Sequence, residues 1–217
     1  MEVMFKKESV AVKKSAQNLN ECVMQVGAMA VSSEVNGPGR RLVIWLQGCP
    51  FNCKGCFNPE FRPMEGGKKI KATTIMEAAF RNRVEGLTFT GGEPFMQAQS
   101  LSLLARAARR EGFGIVCYTG FYWEQLQQEK LPGALELLAN IDLLIDGPFE
   151  EELQGPFLWR GSSNQGIRCL SSRYKHEADA AKAPMAKAAQ IVVGSEKMLI
   201  TGIFPIEFWE KLEAKLR

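Results

Sequence analysis

Nothing in the 217 residues approaches the length of a membrane span or a signal-peptide core, and the start turns charged within its first six residues. A cytoplasmic protein is therefore expected, with no membrane partner. An excess of one charge is also missing. Lys and Arg number 27 against 24 Asp and Glu, and the net charge of +3 is too small to track a phosphate backbone, so nucleic acid is not an expected partner. Histidine is down to one residue, His176, in a charged stretch, and no chemistry is assigned to it. The six cysteines lack the short chain and export signal of a disulfide-stapled secreted domain, so reduced thiols that bind metal are the better reading. What is present, 46% apolar and 24% charged residues, fits a soluble domain with a real core.

Residues 1–33 show no sustained period, and Lys6, Lys7, Lys13 and Lys14 read as the solvated face of an arm or lead-in strand. From Arg40 the text changes to Leu42-Val43-Ile44-Trp45-Leu46, a continuous apolar run that suits a strand buried on both faces. Runs of the same build occupy 86–90, 114–118 and 141–145. Segments of helical period lie between them: Thr74 to Val84 with Ile75, Ala79 and Phe80 inward, Gln97 to Glu111 with Leu101, Leu104 and Ala108 inward, and Pro132 to Ala139 with Leu135 and Leu138 inward. Alternation of this kind predicts βαβ units around a parallel sheet, with ligands gathered beyond the carboxyl ends of the strands. Farther on, Ala178 to Ala189 reads as a helix or a connector. A hairpin is predicted from Gln190-Ile191-Val192-Val193 into Met198-Leu199-Ile200, and Pro205 opens an amphipathic helix with Phe208, Trp209, Leu212 and Leu216.

The chemistry begins directly after the first apolar run. Cys49-Pro50-Phe51-Asn52-Cys53-Lys54-Gly55-Cys56 puts three thiols within eight residues, close enough for one loop to wrap one metal centre. Structural zinc commonly takes four ligands in two Cys-x-x-Cys pairs, and ordinary ferredoxin clusters also use four cysteines. Three thiolates on an iron–sulfur cluster instead leave one iron open to a substrate. Thr90-Gly91-Gly92-Glu93-Pro94 follows the next apolar run. Its glycines permit close backbone approach, and its carboxylate can accept charge-assisted hydrogen bonds. Equally, Glu93 followed by Pro94 suits the start of a helix.

Cys-x-x-x-Cys-x-x-Cys after a first strand, with Gly91-Gly92-Glu93 after the next, resembles the radical S-adenosylmethionine (SAM) superfamily. Four further stretches narrow the resemblance to the activating enzymes of glycyl radical enzymes, of the anaerobic ribonucleotide reductase type. They are Asn36-Gly37-Pro38-Gly39-Arg40, Gly55-Cys56-Phe57-Asn58, Tyr118-Thr119-Gly120-Phe121, and Asp146-Gly147-Pro148-Phe149 leading to Trp159-Arg160-Gly161-Ser162-Ser163-Asn164-Gln165. The resemblance implies an α/β fold, a partial (β/α)6 barrel open on one side, with an arm over 1–33, a core over 34–170 and an extension over 171–217. It implies one 4Fe-4S cluster on Cys49, Cys53 and Cys56, and SAM chelated by the open iron and cleaved to a 5′-deoxyadenosyl radical.

Further site residues follow from the same resemblance. Gly91, Gly92 and Glu93 would meet the methionine end of SAM. Thr119 and Asp146 are candidates for a monovalent cation beside its carboxylate, and Arg160 for that carboxylate or a partner backbone. Ser162, Ser163 and Asn164 would lie near adenosine or the docking surface, against the alternative of a loop held by its own side chains. Asn36-Gly37-Pro38-Gly39 is either substrate-facing or only a turn, and Asp142 reads as a solvated strand-end residue. The implied partners are a glycyl radical enzyme as protein substrate and an electron donor such as flavodoxin or ferredoxin. A radical SAM enzyme acting on a peptide or small metabolite is the rival reading.

Overall fold

The computed structural model describes residues 19–128, 130–183, 189–193, 198–203 and 214–215. The lysines of the N-terminal arm, the hairpin tip and the helix expected from Pro205 lie outside the described residues. So do residues 184–188 of the alanine-rich stretch.

The apolar runs form a sheet because they bury side chains on both faces. In β2 (Arg40–Leu46), Leu42, Ile44 and Leu46 enter the main core while Val43 and Trp45 pack on the opposite face with Phe61, as the period of two requires. β4 (Gly86–Gly91), β5 (Gly114–Tyr118) and β6 (Leu143–Asp146) run parallel to β2 in the order β2-β4-β5-β6. Three antiparallel strands complete a seven-stranded sheet: β1 (Val23–Ser33) beside β2, β3 (Lys68–Lys71) outside β1, and β7 (Gly166–Cys169) beside β6. The sheet is thus mixed, with four parallel strands among the described residues where six β/α units were expected. β1 falls in the segment read as an arm or lead-in strand, and it lies between two strands with Met24 and Val26 buried. Its side chains alternate only in part, so its bounds were not marked by a period.

Helices α1 (Ala72–Arg81), α2 (Ala98–Arg110) and α4 (Ala134–Leu138) cover one face, and the short α3 (Trp123–Leu126) follows β5. α2 buries Leu101, Leu104 and Ala108 as its period predicts. Two inward assignments fail. Phe80 is half exposed and meets Phe113 edge-on, because α1 directs Ala72, Ile75, Met76 and Ala79 inward and Phe80 falls on its flank. Leu135 is exposed because the buried face of α4 is Ala134, Leu137 and Leu138, three and four residues apart. α5 (Lys175–Ala181) covers Val116, Leu143 and Ile145 on the opposite face with Tyr174, Ala178 and Ala181. His176 on this helix is exposed. The hairpin forms as expected, β8 (Ala189–Val193) pairing antiparallel with β9 (Met198–Gly202). Among the described residues no helix is long and apolar enough to cross a membrane.

A buried arginine stitches these layers together. Arg41 is fully buried and spends its guanidinium on neutral acceptors: Thr88 Oγ1 (2.7 Å), the carbonyls of Pro38 (2.9 Å), Leu87 (2.6 Å) and Gly114 (2.8 Å), and Tyr174 Oη (2.9 Å). It joins β2, β4, β5, the 34–39 turn and the lead into α5. Arg41→Met would strand these acceptors, and a loss of about 3–5 kcal/mol in urea unfolding is expected, against about 1 kcal/mol for Tyr174→Phe. Equal small losses would contradict the stitching role.

Candidate functional site

The motif residues come together because each follows the carboxyl end of a parallel strand. One open cavity is lined by Cys49, Phe51, Cys53, Cys56, Phe57 and Asn58 after β2, by Thr90, Gly91, Gly92 and Glu93 at β4, and by Tyr118, Thr119 and Gly120 at β5. Gly147, Phe149, Trp159, Gly161 and Gln165 line it after β6.

Backbone contacts set the cysteine loop against the Gly-Gly-Glu turn. Gly48 N donates to Phe61 O (2.9 Å), Cys49 N to Arg62 O (3.0 Å), Gly92 N to Leu46 O (2.8 Å) and Glu93 N to Gly48 O (2.8 Å). A Cβ on Gly92 would lie 2.4 Å from Gly48 O, and one on Gly91, at φ +96°, 2.6 Å from Leu46 N. Gly91 thus lets the turn close on the end of β2 and Gly92 lets it close on the residue before the first cysteine, and both line the cavity. Two aromatic clamps hold the loop from the other side. Phe51 meets Phe121 with ring centroids 4.9 Å apart, and Phe57 meets Phe149 at 4.9 Å. Gly120 and Gly161 make room for them: an added Cβ would come within 2.6 Å of the Phe51 ring and 2.6 Å of the Phe149 ring.

Glu93 is buried and fills the capping role weighed for it. Its Oε1 accepts from Phe95 N (2.9 Å), capping the turn that Pro94 opens, and from Thr119 Oγ1 (2.8 Å). Oε2 accepts from Gly120 N (2.8 Å), and the residue lines the same cavity as the thiols. Burial outweighs these three donors and pushes the carboxyl up to about 7. Burial also pushes the Cys49 thiol up to about 11 and raises Cys56, so a metal must displace their protons on binding.

Other expected site residues are elsewhere. Asp146 does not line the cavity: its Oδ1 pairs with Arg168 Nε (2.7 Å) and its Oδ2 accepts from Trp123 N (3.1 Å). Thr119 lines the cavity, but its hydroxyl donates to Glu93 and accepts from Phe121 N (3.1 Å). Both side chains expected to hold a cation are thus engaged by protein groups. Arg160 turns away, stacked 4.4 Å over Phe157 and donating to the carbonyls of Gln165 (3.1 Å) and Lys182 (3.3 Å). Ser162 is buried outside the cavity lining and accepts from Glu150 N (3.1 Å). Asn164 donates to Pro148 O (2.8 Å) and Glu150 Oε1 (3.1 Å). The loop held by its own side chains is what the structure contains here. Asp142, expected to be solvated, is buried and accepts from Ile115 N (2.8 Å) and Ser171 Oγ (2.6 Å).

Trp159 is the residue that motif reasoning left without a role. It is buried in the left-handed region at φ +64° and donates from Nε1 to Glu34 O (2.5 Å), beside the Asn36 turn that also lines the cavity. Strained non-glycine backbone of this kind gathers at functional sites, and no sequence signal announces it.

The residues present suit an iron–sulfur cluster. Three cysteines free of disulfides share one loop and one cavity wall, the loop is clamped on both sides, and the cavity they line, about 150 Å³, opens to solvent. Among the described residues no three His, Cys, Asp or Glu converge tightly enough for a single ion.

Three clustered thiols beside a buried acid, at the carboxyl ends of parallel strands, define a cluster-bearing α/β protein, and the comparisons agree. The family model of the 4Fe-4S single cluster domain matches residues 35–168. The anaerobic ribonucleoside-triphosphate reductase-activating protein of Enterobacteria phage T4 is 36% identical over 140 residues, 61% of this chain and 86% of its own length. Those of Pasteurella multocida (strain Pm70) and Escherichia coli (strain K12) are 33% identical over 144 residues and 30% over 148, covering 61% and 63% of this chain and 89% and 92% of their own lengths. The chain belongs to this family of radical SAM activating proteins, whose cofactors are one 4Fe-4S cluster and SAM.

The Glu93 environment has a consequence for pH. A carboxyl raised from 4.5 to about 7 binds its proton more tightly folded than unfolded, so its stabilisation is full below about pH 4.5 and is lost as pH rises through about 7. In the cluster-free protein a loss of about 3 kcal/mol between pH 5 and 8 is expected from this group. Urea unfolding across that range should show Glu93→Gln with a flatter profile than the parent, and parallel profiles would remove the carboxyl from the account.

Proposed function

We propose that this chain cleaves SAM reductively and abstracts a Cα hydrogen from a glycine of a partner glycyl radical enzyme, an anaerobic ribonucleotide reductase. The observation that carries the reading is the single open cavity shared by Cys49, Cys53, Cys56 and Glu93, in a chain whose relatives are named as activating proteins of that reductase.

Cys49, Cys53 and Cys56 would hold the cluster through their thiolates. A cluster held there would supply the electron for reductive cleavage of SAM to methionine and a 5′-deoxyadenosyl radical able to take hydrogen from a glycine Cα. Glu93 receives the ammonium group of SAM on Oε2, which accepts only from Gly120 N among the described contacts and keeps lone-pair capacity. An ammonium there favours the ionised carboxylate and offsets the burial that raises it. Thr119 orients that carboxylate through its hydroxyl. Gly91 and Gly92 hold the turn against the cysteine loop.

The sheet, with this cavity at its carboxyl edge, is read as a partial barrel open on one side so that a protein loop can enter. The core is residues 34–170 together with β1, and 171–217 is an extension. The enzyme is an oxidoreductase working anaerobically in the cytoplasm, reduced by a flavodoxin or a ferredoxin.

Two measurements test this. Iron and sulfide analysis of single Cys→Ala variants should show loss of the cluster at Cys49, Cys53 or Cys56 and retention at Cys22, Cys117 or Cys169. A full cluster without any one of the first three would sink the ligand assignment. Anaerobic incubation of the reconstituted protein with SAM, a reductant and the reductase should give an electron paramagnetic resonance signal on the reductase, split by one glycine hydrogen. Turnover of a small substrate with no lasting protein radical would favour the peptide or metabolite reading.

A further inference from the structure

The family match ends at residue 168, yet the cavity wall does not. Ile200, Thr201, Gly202 and Ile203, at and just beyond the end of β9, line the same cavity as Cys49, Cys53, Cys56 and Glu93. A two-stranded hairpin is marginal by itself, and this one is docked. β8 lies against β1, and buried Thr201 donates from Oγ1 to Asn36 Oδ1 (2.8 Å). The same Asn36 oxygen accepts from Ser32 Oγ (2.9 Å), and the Asn36 carbonyl accepts from Thr88 Oγ1 (2.8 Å), which in turn accepts from Arg41. The hairpin is therefore anchored through the turn at Asn36 to the buried network of the core.

We infer that the hairpin is the specificity element of this site: residues 200–203 touch the partner segment that enters the cavity and select it. The inference rests on the activase reading. With the Thr201 hydroxyl committed to Asn36, the hairpin offers the entering segment the apolar surface of Ile200 and Ile203, beside Val35 and Trp159. Such a wall selects by shape and suits a glycine-bearing loop whose entering residues are small and uncharged. Thr201 is a positioning residue, because it acts by holding the wall against Asn36. Ile200 contacts the partner directly.

Full-length, cluster-loaded Thr201→Val and Ile200→Ala proteins test this against the parent. Initial rates of glycyl radical formation are followed as the anaerobic ribonucleotide reductase of the same organism is titrated, with iron content measured alongside. The KM for the reductase should rise about three- to tenfold, the range for loss of one neutral hydrogen bond or a few methylene contacts, and the change should fall on KM more than on kcat. Ile200→Leu should recover most of the loss. Ile200→Ala leaves the Asn36 anchor intact and carries the test if Thr201→Val unfolds. An unchanged KM, or a fall in kcat alone, overturns the inference while the radical signal of the parent upholds the activase reading. No radical from the parent overturns that reading, and this inference with it.

Discussion

The carboxylate of Glu93 accepts hydrogen bonds from a turn after β4 and from two groups after β5 while buried within the core, and the arrangement of the cavity depends on it. The acid holds two strand ends at a fixed separation. Its own backbone N–H is bonded to Gly48 O, the residue before the first cysteine, and Gly120, which donates to it, is packed against Phe51 within the cysteine loop. Displacing the carboxylate would therefore move both the thiols and the walls around them. Burying an acid costs free energy unless it is well partnered, and here the partners are incomplete enough to leave the proton bound near neutrality. A ligand cation would complete the set.

A second buried network runs beneath the first. Arg41, Thr88, Asn36, Ser32 and Thr201 form one chain of hydrogen bonds from the centre of the sheet to the C-terminal hairpin. With neutral acceptors on every arm of the guanidinium, the chain is costly to interrupt and specifies one arrangement. It gives the hairpin a fixed place at the mouth, which a loosely attached extension would lack.

Much of this was legible in the sequence for a physical reason. Strands buried on both faces must be apolar throughout, so Leu42–Leu46 and its successors stood out, and loops at their carboxyl ends were where polar motifs had to fall. Cys49, Cys53, Cys56, Gly91, Gly92, Glu93 and Thr119 all line one cavity as a result. What failed depended on which partner a polar side chain finds. Asp146 and Arg160 are chemically suited to a ligand, but Arg168 and backbone carbonyls across the fold had reached them first. Ser162 and Asp142 likewise turned inward. Phe80 and Leu135 failed because a helical period sets a face only to within one residue. Trp159 at positive φ and the return of residues 200–203 to the cavity are tertiary facts that no local pattern carries.

The central claim is that hydrogen leaves a glycine on another protein and arrives on the adenosyl product of SAM. The direct measurement uses reductase grown with glycine deuterated at Cα, incubated anaerobically with this protein, SAM and reductant, followed by mass analysis of the 5′-deoxyadenosine formed. The account predicts one deuterium per 5′-deoxyadenosine produced in step with the radical on the reductase. A radical-competent mixture that yields only unlabelled 5′-deoxyadenosine would contradict it.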